Sequence, residues 1–504
     1  MPAPLPEPSS LWIDSAPGPE FPSLDVRRKV DVAIVGGGIV GIATAHRLKE
    51  AGKRVAVLEA GRILEGTTGH TTAKLTAGHG LIYTHLERHF GRDGARRYAE
   101  ASEWGIAEVD RLSRELDIDC DFERRANVVY TEEEGETQAL REEAAAARRA
   151  GLETAFVEEL DLPYPVAGAV QTSTEAQYHP RKLLLALAAR IPGEGSSVHE
   201  SSRVTSIRDA SSCVVRTRDS HVEAKHVIVA TNMPVLFRGL HFARSFPKRH
   251  YAIAGPAERM PEQMYLSTES SPHSIRTVPH FDERLLLVLG ESHPAGKGGD
   301  TEKRYGRLSD WAAERFGLRD VRYRWSAQDW YSADRVPLIG PASSWTKRLL
   351  VATGFGGWGM APGIAASRIL TDLILGEENP WASLFSPQRA KLAALPKLAI
   401  ENTKVAIRRT TDMVPRPVGS LKDLSPGEGG IVRAGGRRVA AYRDPAGNVH
   451  AVSSRCTHLG CEVAWNPAER SWDCPCHGSR FGTEGSVLNG PATDPLEPRE
   501  VSES

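Results

Sequence analysis

Near its C-terminal end the chain reads Cys456-Thr-His458-Leu-Gly-Cys461 and then Cys474-Pro-Cys476-His477-Gly-Ser479, and no other stretch restricts it so strongly. Counted out, this is C-x-H, fifteen intervening residues, then C-x-x-H. Two Cys and two His at this spacing form a ligand set in which two thiolates hold one iron of a [2Fe–2S] centre and two imidazoles hold the other. Neutral imidazoles in place of anionic thiolates lower the charge around the cluster, which raises its potential and keeps it a one-electron carrier. Tetrahedral zinc also takes two Cys and two His. Zinc ribbons and fingers rarely place a His just after a Cys in both halves, so the block is read as an electron carrier. Short Gly-punctuated strands such as Arg438–Tyr442 make this part all-β.

The CTHLGC and CPCHGS boxes resemble the high-potential Rieske proteins of respiratory and photosynthetic cytochrome complexes, over roughly residues 420–504. The resemblance implies Cys456, His458, Cys474 and His477 as the cluster ligands and a disulfide between Cys461 and Cys476. It also implies a hydroxyl hydrogen bond from Ser479 to a cluster sulfur, with Gly490-Pro491 in a loop covering the third side. The Tyr usual two positions after that Ser is Phe481 here, so one bond to the cluster is missing. Such bonds favour the reduced state, and a potential below the top of the ~−150 to +300 mV range is expected.

A second redox signature stands near the other end. Gly36-Gly37-Gly38-Ile-Val-Gly41 follows the apolar run Val30–Val35, opens a helical run to Gly52, and precedes Arg54-Val-Ala-Val-Leu-Glu59. The step from Gly38 to Glu59 has the length expected of a dinucleotide fingerprint. Gly36 and Gly38 let the backbone approach a pyrophosphate at a helix N-terminus, and Glu59 accepts from a ribose. The small-residue loop Gly66–Lys74, with Thr71, Thr72 and Ala73, suits phosphates and a flavin. Far downstream, a strand near 349–353 runs into Gly354-Phe-Gly356-Gly357-Trp358-Gly359, a turn at a helix N-terminus suited to the flavin pyrimidine ring.

In collinear patches from about residue 10 to 376 these features resemble the D-amino-acid-oxidase-like flavoproteins, the group containing glycine and sarcosine oxidase. The resemblance implies an FAD lined by Gly36, Gly38, Gly41, Glu59, Val204, Ala230, Gly354 and Gly357, with Thr71, Thr72, Ala73, Gly356 and Trp358 beside it. Only one dinucleotide fingerprint is present, so a separate NAD(P)H site is not supported. His70 is either a hydrogen-bonding loop residue or a covalent flavin attachment point. Relatives acting on amino acids commonly carry an Arg five residues before the Asp of the D-x-x-P-x-I-G box. That Asp is Asp334 here, and Asp329 stands where the Arg is expected. A carboxylate there repels a carboxylate ligand and favours a cation, unless Arg276 or Arg335 supplies the charge. Asp329 tied to a backbone turn is the alternative. Tyr251 and His250 are further pocket candidates, with core or interface packing the default for both, and the candidate catalytic set is Asp329, Arg276 and Tyr251.

The expected fold class is α/β plus β: a Rossmann-type FAD-binding domain interleaved with an α+β substrate domain, then a small all-β Rieske domain. Residues 1–28 form a Pro-rich arm too polar to fold alone, and 29–376 form the flavin module. Its FAD core takes about 29–80, 175–235 and 330–376, and its substrate domain about 81–174 and 236–329. A linker, 377–415, leads to the Rieske domain at 416–504. His85 and His89, four apart on a helix, read as a solvated face rather than a metal site. A net charge of −1 over 504 residues gives no case for nucleic acid or an anionic membrane. No stretch reaches the ~18–20 apolar residues of a membrane span, and the first residues show no secretory signal. Four of the six Cys lie in the Rieske block, with Cys120 and Cys213 expected as buried thiols, which fits the cytoplasm.

A two-electron centre and a one-electron centre on one chain imply an FAD-dependent dehydrogenase. It would oxidise a small amine or amino-acid-like substrate and deliver electrons through the [2Fe–2S] cluster to an external one-electron acceptor. The rivals are a reductase fed by an external donor through the cluster, an oxidase with a redox-sensing Rieske domain, and a non-catalytic electron-transfer adaptor. A Rieske oxygenase is disfavoured, since no D-x-x-H-x₃₋₄-H iron site is present.

Overall fold

The computed structural model describes residues 5–235, 239, 241–389 and 419–501. Strand β1 (Arg28–Val35) is buried continuously from Val32 onward. A strand buried on both faces belongs in a parallel sheet under helices. After it the chain turns through the glycines into helix α1 (Ile39–Glu50) and returns as β2 (Val55–Leu58), parallel to β1. Strand β3 (Ser197–His199) extends the sheet beyond β2, and β4 (His221–Val229) pairs with β1 on its other side, both in parallel.

The chain then leaves for an eight-stranded sheet whose edge is built by β5 (Ser245–Gly255), β6 (Glu283–Pro294) and β7 (Tyr323–Ser332), in the order β7-β5-β6. It comes back as β8 (Thr346–Thr353), parallel to β4, and closes with helix α2 (Met360–Leu375), packed on α1. The α/β nucleotide domain and the α+β domain are thus interleaved in sequence. Beyond residue 418 the described chain is β-rich. A three-stranded sheet, β9 (Gly429–Ala434), β10 (Arg437–Arg443) and β11 (Val449–Ser453), is followed by a four-stranded one. The latter holds β12 (Ala464–Asn466), β13 (Ser471–Asp473), β14 (Arg480–Gly482) and β15 (Val487–Asn489). Residues 390–418, which contain most of the expected linker, lie outside the described residues.

The N-terminal arm and His85 both make tertiary contacts. The N-terminal arm packs on the flavin module: Leu11 and Trp12 are buried, and the Trp12 indole donates to Thr71 O at 2.7 Å. His85 is half-buried rather than solvated, its Nε2 lying 3.0 Å from Asp334 O.

The pleat of β5 and β7 sorts the residues around the site into two sets. In their antiparallel register Lys248 stands opposite Asp329, Arg249 opposite Gln328, His250 opposite Ala327 and Tyr251 opposite Ser326. Successive strand side chains point to opposite faces. Phe246, Lys248, His250, Asp329 and Tyr331 therefore share one face, and Pro247, Arg249, Tyr251, Gln328 and Trp330 share the other.

The turn between β1 and α1 tolerates no side chain. Gly36 has φ +106°, and a Cβ on it would lie 2.5 Å from Ala230 O. A Cβ on Gly41 would lie 1.9 Å from Gly36 O. Gly41→Ala should therefore force the turn apart at a cost of about 3 kcal/mol, visible as a lower thermal midpoint and lost flavin. A variant that keeps both midpoint and flavin would show that the turn relaxes freely.

Candidate functional site

Three groups of residues converge on the β5–β7 pair. The first is the nucleotide cradle. Glu59, just after β2, accepts from Gly37 N at 2.7 Å and Gly61 N at 3.0 Å, which draws the acid into the glycine turn. No side chain of Gly38 caps α1, but Thr68 Oγ1 accepts from Ile39 N at 3.0 Å. Ala230 closes the end of the cradle, donating to Val35 O at 2.8 Å, and Val204 is buried in the same apolar layer as β1. The loop carrying Thr71, Thr72 and Ala73 is held by its carbonyls, with Trp12 on Thr71 O and Arg276 on Thr72 O and Ala73 O. His70 Nδ1 lies 2.8 Å from Gly66 O, a hydrogen-bonding role. A backbone cradle that any Cβ would fill, facing the open end of a helix, fits the diphosphate of FAD.

The second group is the pocket face of β5 and β7, against the turn Gly354–Gly359. Gly356 N donates to Trp330 O at 3.0 Å. A Cβ at Gly357 would lie 3.2 Å from Tyr331 Oη and 3.9 Å from Asp329 Oδ2. Trp358 is stacked on His79 at 4.5 Å, fixing the turn that opens α2. Tyr331 Oη is 3.0 Å from His250 Nε2. Asp329 belongs to this face, and burial pushes its carboxyl up to about 6. No hydrogen bond or ion pair from a described residue reaches that carboxylate. Lys248, opposite it in register, places its ammonium 5.0 Å from the Tyr331 ring centroid instead. Burial holds His250 down at about 4, so its ring is neutral at pH 7.

Arg276 and Tyr251, both placed in the pocket from sequence, do not join Asp329. Arg276 is engaged by the Thr72 and Ala73 carbonyls, at 2.8 Å each. Tyr251 points through the opposite face of β5, bonded to His293 Nε2 at 2.9 Å and edge-on to Tyr305. Two neighbours in one strand, His250 and Tyr251, cannot both face one pocket.

The third group is the cluster block, docked on that opposite face. Cys461 and Cys476 are joined, S–S 1.99 Å, and their sulfurs lie within 4.8 Å of Cys474 Sγ. Being oxidised, they have no thiolate to offer a metal, which leaves Cys456 and Cys474, both buried. The Cys474 thiol beside it and the backbone N–H groups of His458 and Leu459 pull Cys456 down to about 7, toward the thiolate that a metal needs. Rings of His458 and His477 meet edge to face at 5.0 Å. Burial holds both at about 4, in the neutral, ligating form. His477 Nδ1 is buried with no hydrogen-bond partner among the described residues. An orphaned imidazole nitrogen beside two buried thiols fits a [2Fe–2S] cluster held by these four residues. Ser479 Oγ accepts from Ala492 N at 3.0 Å, leaving its proton for Cys456. Phe481 is fully buried and brings no hydroxyl.

Pro247, Arg249, Gln328 and Phe242 were not legible as functional. Gln328 Nε2 donates to Gly478 O at 2.6 Å, and the Arg249 guanidinium stands 3.7 Å from Asp473. Phe242 lies edge-on to both cluster-side imidazoles, at 5.0 and 5.2 Å. The one available signal was strand alternation around Asp329.

Ser479→Ala should lower the midpoint potential of the cluster, because a hydroxyl bond to its sulfur favours the reduced state. An EPR-monitored redox titration reads this directly, and an unchanged potential would remove Ser479 from the cluster's hydrogen bonds.

Similarity to known proteins covers both halves. Residues 31–373 match the FAD dependent oxidoreductase family (DAO), and residues 415–500 match the Rieske [2Fe-2S] domain. Protein YhfW of Bacillus subtilis (strain 168), named as a Rieske 2Fe-2S iron-sulfur protein, is 38% identical over 97% of this chain and 97% of its own length. Gamma-glutamylputrescine oxidoreductase of Escherichia coli (strain K12) is 26% identical over 71% of this chain and 86% of its own. Glycine oxidase from Geobacillus kaustophilus superposes with a TM-score of 0.58 at 21% identity, over 72% of this chain and 99% of that one, a likeness of fold. The chain belongs to the FAD dependent oxidoreductase family (DAO), with a Rieske [2Fe-2S] domain joined to its C-terminal side.

Proposed function

We propose that this oxidoreductase is a dehydrogenase that oxidises the C–N bond of a cationic amine and passes the electrons one at a time through its cluster to an external acceptor. The observation that carries the amine reading is Asp329, a half-buried carboxylate on the pocket face with no counter-ion among the described residues. A carboxylate left without a cation in a low-dielectric site attracts one from the substrate and repels a carboxylate-bearing ligand. A relative named for γ-glutamylputrescine, whose putrescine end is a primary amine, supports the amine part of this reading, the glutamyl carboxylate lying at the far end of that molecule.

Bound FAD supplies hydride acceptance from the substrate carbon and one-electron release afterwards. The protein's own groups do the rest. Asp329 would hold the substrate ammonium beside the Gly354–Gly359 turn and take the proton that the nitrogen must lose before hydride can leave its carbon, releasing that proton to water. Neutral His250 lies 3.0 Å from the Tyr331 hydroxyl, which fixes both groups on the face that carries Asp329. The cluster's four ligands, Cys456, His458, Cys474 and His477, give a one-electron centre on the far face of the same sheet. No described helix is long and apolar enough to cross a membrane. Cys120 and Cys213, buried as thiols, suit a reducing, cytoplasmic setting.

The pH dependence is set by Asp329. Its carboxylate form predominates above about pH 6 and is lost as pH falls through that value. For a cationic amine, kcat/KM should fall below about pH 6 in the native protein. In Asp329→Asn that acid limb should vanish, with KM raised about tenfold or more at pH 8, the loss of one desolvated charge pair. Anaerobic flavin bleaching by a panel of amines and α-amino acids identifies the substrate class. Bleaching by α-amino acids alone, indifferent to Asp329→Asn, would overturn the amine reading.

A further inference from the structure

We propose that Gln328 is the positioning residue that locks the histidine-bearing edge of the Rieske domain against the flavin module and joins the two redox sites. This role rests on the proposed passage of electrons between flavin and cluster. Gln328 is 5% exposed, and both ends of the residue are engaged. Its side-chain Nε2 donates to the carbonyl of Gly478, the residue after His477, at 2.6 Å. Its Oε1 accepts from Arg249 Nη2 at 3.2 Å, which fixes the amide the right way round. Its backbone carbonyl accepts from Asn232 Nδ2 at 3.1 Å and from Thr67 Oγ1 at 3.4 Å, and Asn232 Nδ2 also donates to Thr67 Oγ1 at 2.8 Å. Asn232 stands just beyond the end of β4, and Thr67 sits in the glycine-rich loop after Glu59. Both belong to the FAD side.

The route from this loop to a cluster ligand thus crosses hydrogen bonds only at the two ends of one residue, and everything between is covalent. The close approach is built in. Gly478 has φ +73°, and a Cβ on it would lie 2.8 Å from Gln328 Nε2 and 2.7 Å from Pro247 Cβ. Phe242 packs against both imidazoles from the flavin-module side. The strand pleat explains why Gln328 serves here: it is the neighbour of Asp329, so the substrate-facing and cluster-facing side chains share a peptide bond. A buried amide costs stability unless its polar atoms are paired, and the Gln328 Nε2 finds its carbonyl partner on the Rieske domain. In each transfer one electron leaves the reduced flavin and one cluster iron passes from ferric to ferrous. The accompanying flavin proton goes to water, and an external one-electron acceptor reoxidises the cluster before the second electron is transferred.

The test uses the full holoprotein, with the flavin reduced by light and an external photoreductant, so no substrate is needed. Cluster reduction is followed by EPR and flavin by absorbance, in the native protein, in Gln328→Leu and in Gln328→Glu, which keeps the Arg249 contact but not the donor. Both variants should slow cluster reduction by the flavin about tenfold, the factor equivalent to roughly 1.4 kcal/mol of docking. Flavin content and cluster g-values should stay unchanged, and the radius of gyration from small-angle scattering should rise. Native rates and native scattering in both variants would overturn the assignment. If the native protein itself passes no electrons from flavin to cluster, the proposed function fails. The scattering comparison then still decides whether Gln328 docks the domain.

Discussion

The two-residue period of a β-strand is the constraint on which the rest of this molecule depends. Strands β5 and β7 form a wall one peptide thick, and the pleat sends alternate side chains to opposite sides. Asp329 and His250 face the flavin turn, while Gln328 and Arg249 face the cluster domain. A single-residue slip of β7 would turn its side chains over, carrying Asp329 to the face where Asp473 lies and Gln328 to the other. The hydrogen bonds from β7 to both sides are what make such a slip costly. Gln328 is tied to Gly478, and Gly356 N is tied to Trp330 O.

Docking between the modules is built from buried charge rather than from an apolar patch alone. Arg249 is wholly buried and Asp473 nearly so, 3.7 Å apart. Burial alone would raise the Asp473 carboxyl, but Arg249 and Arg480 hold it at about 2. Glu469 faces Arg480 at 3.7 Å and receives the Tyr305 hydroxyl at 3.2 Å. Thr301 donates to Asn466 Oδ1 at 2.7 Å and accepts from Ala468 N at 3.0 Å. Such pairs contribute little net stability compared with apolar contacts of the same size, yet removing one partner leaves a stranded charge worth several kcal/mol. An interface of this kind discriminates sharply between one docked pose and any other.

How much of this was legible in the sequence depended on how local the determinant is. Cluster ligation needs particular atoms at short spacing, so Cys456, His458, Cys474 and His477 stood out from two short boxes. The glycine turn was legible for the same reason: the clash of any Cβ at Gly36 or Gly41 is with backbone a few residues away or on the adjoining strand. Arg276 was a pocket candidate for its charge and Tyr251 for its place on a sheet strand, where core packing was the default. Their actual partners, the Thr72 and Ala73 carbonyls and His293, lie on distant segments that no local pattern connects. Gln328 and Phe242 were invisible because an amide and a phenyl ring acquire meaning only from what docks on them. Trp12 was hidden by the polar, proline-rich composition around it, although its burial against the flavin loop ties the arm down.

The docking network also bears on the potential of the cluster. Arg249 and Arg480 are matched by Asp473 and Glu469, so this group of four charges sums to zero. A balanced network exerts little long-range field on the cluster, in contrast to a lone buried guanidinium, which would favour the reduced, more negative state. The potential is then governed by the ligands and their immediate bonds. Two neutral imidazoles raise it, a Ser479 hydroxyl bond to the cluster would raise it further, and the phenyl ring of Phe481 brings no donor. Imidazole for thiolate changes the charge on the cluster by two units, whereas a missing hydrogen bond removes only part of one dipole. The larger effect wins, and a raised cluster potential is the condition that the proposed amine dehydrogenase would require.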